Sequence, residues 1–148
     1  MAALVFNIAK GRLAYLATLP AANDGLVALL LTAAQADASL RDHATVAAML
    51  AGGNTEATFT GYSRKALGGV TVTVDNVGDT VTVDCTDPVW NPTAAQALVR
   101  LVIAYDDDIA AGTDTSLIPL FADDFALTTP ASGTVTYVVA TGGFYQAS

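Results

Sequence analysis

Residues 101–121 read LVIAYDDDIAAGTDTSLIPLF, with three adjacent aspartates set between two apolar stretches. Three neighbouring carboxylates could grip a divalent cation, or they could form the wet tip of a connection between two buried strands. A calcium loop needs six to eight oxygen ligands at defined offsets. Asp106, Asp107 and Asp108 lack that spacing, and no closing glutamate follows them. The expected reading is therefore a loop between sheet elements; a cation shared with a neighbouring subunit and a metal-dependent enzyme are the alternatives. Asp123 and Asp124 are read the same way.

Other reactive side chains are few. Glu56 is the sole glutamate, His43 the sole histidine and Cys85 the sole cysteine. A serine or cysteine triad would have to use His43 as its base, and no GxSxG frames a nucleophile. Glycines occur in pairs, without a phosphate-loop pattern. A glycosidase needs two carboxylates facing each other across a cleft, and no rigid wall presents them. Cys85 lies in phase with valines and reads as a small core side chain. No internal disulfide can form, and metal-ligand spacings of cysteine and histidine are absent. No enzyme, catalytic residue, cofactor or resident metal is expected.

Composition points the same way. Apolar residues make up 53% of the 148 and charged residues only 14%, against about a quarter charged in average soluble proteins. That excludes a disordered chain and suggests a surface partly covered by other subunits. The net charge of −8, with six basic residues scattered along the chain, offers no stripe for phosphate; nucleic acid is not an expected partner. Residues 25–34 superficially resemble the apolar part of a leader. Asn23 and Asp24 abut them, and the run is shorter than the roughly 20 residues a bilayer span needs. A buried strand over 26–32 is expected, with no membrane association.

The elements that would position these groups follow from periodicity. Ile8, Leu13, Leu16 and Leu19 predict a short helix over 7–20. In ADASLRDHATVAAMLAGG, Ser39 with Asp42 resembles a capping box, and Leu40, Ala44, Ala47 and Leu50 form one stripe that Gly52-Gly53 ends. His43 falls on the polar side of that helix. From residue 56 the period changes to two. GVTVTVDNVGDTVTVDC predicts a hairpin with Val70, Val72, Val74, Val81, Val83 and Cys85 on a dry face and threonines opposite. Asn76 and Gly78 would make its turn. Strands are expected over 95–105, buried on both sides, over 116–122, edged or bulged at Pro119, and over 133–141. The fold class is thus α+β and β-rich: one domain over 1–148, with a helix-containing part (1–55, two helices and one strand) and a β-rich part (56–148) forming a largely antiparallel sheet or small barrel or sandwich. Trp90, held between Pro88 and Pro92, reads as a rigid apolar protrusion, either a lid on the fold or an anchor in a subunit contact. The aromatics of GGFYQAS must dock on their own domain or on a neighbour.

LVFNIAKGR, ADASLRDHATVAAML, RKALGGVTVTVD and VIAYDDD…GTDTSLIPLFADDF together resemble a family of small virion proteins of tailed actinobacteriophages, over nearly the whole chain. None of these blocks is a catalytic motif, and no functional residue carries over. The resemblance implies a structural component of the particle: a capsid decoration (cement) protein or another minor head or tail component, the leading expectation being decoration on the virion surface by a protein made in the host cytoplasm. Its partners would be the major capsid protein and itself, as a homo-oligomer such as a trimer. A tail-associated or host-binding protein, with sugar bound at Trp90, is the alternative. The expected partner interface is Phe6, Lys10 and Arg12 with Trp90, Phe144 and Tyr145.

Overall fold

The computed structural model describes residues 3–148. The strands in chain order are β1 (Leu4–Val5), β2 (Gly25–Ala33), β3 (Thr55–Glu56), β4 (Lys65–Ala66), β5 (Thr71–Asp75), β6 (Thr80–Asp84), β7 (Val89–Trp90), β8 (Ala97–Asp106), β9 (Ile118–Thr128), β10 (Val135–Thr136) and β11 (Tyr145–Ala147). Three short helices, α1 (Leu13–Ala17), α2 (Asp37–Leu40) and α3 (Val46–Ala51), lie between β1 and β3. The class is α+β and β-rich, and every strand pairing is antiparallel.

The main sheet runs β1-β9-β8-β2-β3, with β4 also on β2. It stays open, so the barrel option is not realised. Its centre is the long pairing of β2 with β8, from Gly25 opposite Asp106 to Leu31 opposite Arg100. Residues directly opposite each other share a face. Leu29 with Val102 therefore lies on one side, and Ala28 with Ile103 on the other; all four are buried. Continuous apolar runs such as LVALLL belong to strands covered on both faces.

One face carries α2, tied down where Arg100 reaches Asp37. The other is covered by smaller sheets. There Phe121, opposite Ile103, stacks at 5.5 Å on Phe144, just before β11. The two smaller sheets are β10-β7 and β11-β6-β5, and α1 packs on β5 and β6.

Several expectations change. The helix over 7–20 is interrupted: a 3-10 turn spans Asn7–Ala9, Gly11 takes φ +78°, and α1 begins at Leu13. A left-handed residue cannot continue a right-handed helix. The helix expected from Ser39 to Gly52 is two helices. Ser39 sits inside α2, and the true cap is Thr45, whose hydroxyl accepts from the Ala48 amide at 3.1 Å. The buried stripe is Leu40, Val46 and Met49, while Ala44 is exposed. Gly52 ends α3 as expected.

The hairpin register matches expectation, with Val72 opposite Val83 and Val74 opposite Val81. Its turn takes φ +52° at Asp79, and the Asp75 carboxylate accepts from the amides of Val77 and Gly78. The dry face is only partly dry: Val83 is buried, but Val74 is 61% exposed. Pro119 marks a bulge, since Ile103 pairs with Phe121 while Ala104 pairs with Pro119. β9 then continues to Thr128, so Asp123 and Asp124 are strand residues and not a loop. The strand expected over 133–141 shrinks to Val135–Thr136. Beyond it, Tyr137 and Val139 donate to the Pro88 carbonyl and the Asp87 carboxylate.

Candidate functional site

The aspartate triplet ends β8. Asp106 is the last strand residue and is buried, and Asp107 and Asp108 start the connection to β9. The Asp106 carboxylate accepts from the Asp108 amide at 3.1 Å. Gly112 folds back onto this carboxylate; a Cβ there would overlap it. The triplet therefore organises its own loop. Among the described residues, no group of three or more His, Cys, Asp or Glu side chains is placed to hold a metal ion.

The loop leans over the end of β2 and leaves a pocket of about 260 Å³, whose apolar walls include Val27, Ala66 and Leu117 and whose polar groups are Arg64 and Asp106. Small-molecule sites usually run from about 300 Å³ upward. The Arg64 guanidinium is already engaged. It donates to Glu56 at 2.8 and 2.7 Å and pairs closely with Asp114 of the loop. Tyr62 donates to Glu56 at 2.6 Å and accepts from the Leu30 amide at 3.2 Å. Burial, reinforced by the Glu56 hydrogen bond, pushes the Tyr62 phenol well above its usual range. It stays protonated and cannot serve as a base at neutral pH. Chemically, the cluster is a latch joining the β3–β4 edge to the 107–117 loop.

A second ionic cluster lies inside the sheet. The Arg100 side chain is wholly buried, and its Nη2 lies 3.0 Å from Asp37 and 2.9 Å from Asp124. Only the Asp124 contact has hydrogen-bond geometry. Among the described residues, Nε and Nη1 have no partner. Arg100 thus pins α2 to β8 and β9. No local pattern marks it, because the partners are far apart in the chain and Arg100 sits within an apolar strand.

The expected interface residues separate into two groups. Phe6 and Trp90 are fully buried and Phe144 nearly so. Trp90 is no protrusion: its indole donates to the Ser63 carbonyl at 2.8 Å, and the ring fills the core beneath β7. An exposed aromatic platform for sugar is therefore missing at Trp90. Phe144 docks on its own chain, and half-buried Tyr145 is held in β11 opposite Val83. Lys10 is exposed, and Arg12 is half-buried with its Nε on the Ile8 carbonyl. His43 is bound to Gln35 at 2.7 Å, beside the Asn54 amide that also reaches Gln35. Cys85 is buried; burial and the neighbouring Asp84 and Asp87 push its thiol up to about 11.

What the sequence reading missed is an edge. Among the described residues, no strand pairs with the outer side of β5, and Val74 and Val77 at its end are 61% and 96% exposed. Natural edges are usually blunted by lysine, proline or a bulge. The stretch from Gly69 to Val74 has none of these. The alternation that revealed the hairpin could also have flagged it.

Comparison with protein-family models, with curated proteins and with solved structures gave no match. Among the described residues, no helix is long and apolar enough to cross a membrane.

Proposed function

We propose that this chain is a structural protein of a phage particle, a capsid decoration protein that binds the outer shell and braces it through subunit contacts. The observation that carries the reading is the open edge of β5, with Val74 exposed on it and Val77 exposed in the adjoining turn. Such a surface favours contact with another polypeptide over solvent. Two further features support it. The sequence blocks resemble small virion proteins, and the ionic clusters around Arg64 and Arg100 bind one another in the manner of structural latches. Its partners would be the major capsid protein and further copies of itself. Weak contacts repeated over a lattice gain strength by avidity.

Copy counting on purified particles tests the proposal. Hundreds of copies, removable from intact capsids together with some of their heat resistance, are expected. A handful per particle would move the chain to the tail or a vertex. Absence from the particle would end the virion reading.

A further inference from the structure

We infer that β5 pairs with β5 of a second copy of this chain, antiparallel about a two-fold axis through Thr73, making one continuous six-stranded sheet across the dimer. The inference deepens the self-association part of the proposed function.

Three observations carry it. First, the strand reads Thr71-Val72-Thr73-Val74-Asp75, nearly the same in both directions. An isologous contact needs that self-complementarity. With the axis at Thr73, Val72 meets the partner copy's Val74, Thr73 meets its own counterpart, and Thr71 meets Asp75. Each pair is compatible: valine packs on valine, and the threonine hydroxyl can donate to the carboxylate. The apolar side also continues the Val81–Val83 side of β6.

Second, charge selects the site. Two copies each carrying −8 repel, so they meet best where carboxylates are absent. Within the paired strand, Thr71–Asp75, Asp75 is the one ionisable residue, and residues 68–74 have none. Asp75 also turns its carboxylate back onto its own turn amides.

Third, area sets the strength. A five-residue pairing is shorter than a standard interface of about 1,200–2,000 Å² implies. The dimer is therefore concentration-dependent in solution and becomes persistent only where copies are held close together. Asp84 lies beside Thr71 in the hairpin, so each new row sets it about 10 Å, two strand spacings, from the partner copy's Asp75. Salt screens that distance, so added salt should tighten the pairing.

Sedimentation equilibrium over a concentration series tests the pairing. The average mass should rise from 15.1 kDa toward twice that value, more readily at high salt. Thr73→Lys places two ammonium groups face to face and should weaken association about tenfold or more, with circular dichroism unchanged. Thr73→Cys should form an intermolecular disulfide under mild oxidation, because only the residue on the axis faces itself. Val77→Cys, beyond the paired strand, should not. A monomer at every concentration with Thr73→Cys left uncrosslinked overturns the inference, as does a trimer, or a dimer indifferent to Thr73→Lys. None of these outcomes alters the copy count on particles, so failure here is distinct from failure of the decoration reading.

Discussion

The main sheet and the β11-β6-β5 sheet are both antiparallel and end in opposite states. In the first, β2 and β8 lie between neighbours on both edges and layers on both faces, and even a charged side chain, Arg100, is taken inside and paired. In the second, one edge and most of one strand face solvent. Their patterns differ, since β2 and β8 are continuously apolar while β5 and β6 alternate valine with threonine. So does the saturation of their backbone and side-chain partners. The saturated region supplies stability, and in the other, among the described residues, no strand pairs with the outer side of β5.

Substitutions should fall on either side of that division. Leu29→Ala, in the fully buried heart of β2, should cost about 3–4 kcal/mol in urea unfolding. A loss below about 1 kcal/mol would mean that the main sheet is not the stabilising region. Asp124→Ala removes one counter-charge of buried Arg100 and should cost about 3 kcal/mol. Asp37→Ala should cost less, because the better-aligned Asp124 bond remains, and the double variant should depart from additivity.

Alkali tests the same layers. Tyr62 donates to Glu56 and accepts from Leu30, while Tyr137 donates to Asp123 of β9 at 2.7 Å. Burial first and the carboxylate bonds second raise both phenols above the usual tyrosine range. The folded state then holds protons that the unfolded chain releases near pH ~10. Their contribution is complete below that pH and falls as pH rises above it. Urea midpoints should drop on passing above pH ~10, and less steeply in Tyr137→Phe. A flat profile would sink the assignment.

Smaller effects sharpen the boundary. Thr45→Ala removes the α3 cap and should cost about 1 kcal/mol, whereas Ser39→Ala should stay within about 0.5 kcal/mol. The reverse order would restore the capping box read from the sequence. Val74→Lys should change unfolding free energy by less than about 0.5 kcal/mol, since the side chain lies mostly in water. Its effect belongs to association.

Legibility followed distance along the chain. The hairpin could be read because alternation and turn residues are local. β2 and β8 were found because two-sided burial produces continuous apolar runs. The α2–α3 break was not. Alanine suits either side of a helix, so the Ala44–Ala47 stripe was ambiguous. What divides the helices is Thr45, with Asp42 held by Asn7 at 2.5 Å from far earlier in the chain. Trp90 was misplaced because flanking prolines suggest a rigid knob, while burial came from the Ser63 carbonyl and a core assembled from distant segments. The ionic latches depended wholly on tertiary placement: Arg64 meets Asp114, and Arg100 meets both Asp37 and Asp124.

β11 carries a consequence for how the molecule is made. The hairpin can zip up as soon as residues 71–84 are available, yet the strand that closes its far side comes from residues 145–147. During synthesis the hairpin waits with two bare flanks until the chain has run past Ala147, a late, long-range closure of the kind that slows folding. A ribosome stalled before Tyr145 would release a species sticky on both sides and prone to clump. In the finished molecule β11 covers the β6 flank of the hairpin, and among the described residues no strand covers the β5 flank.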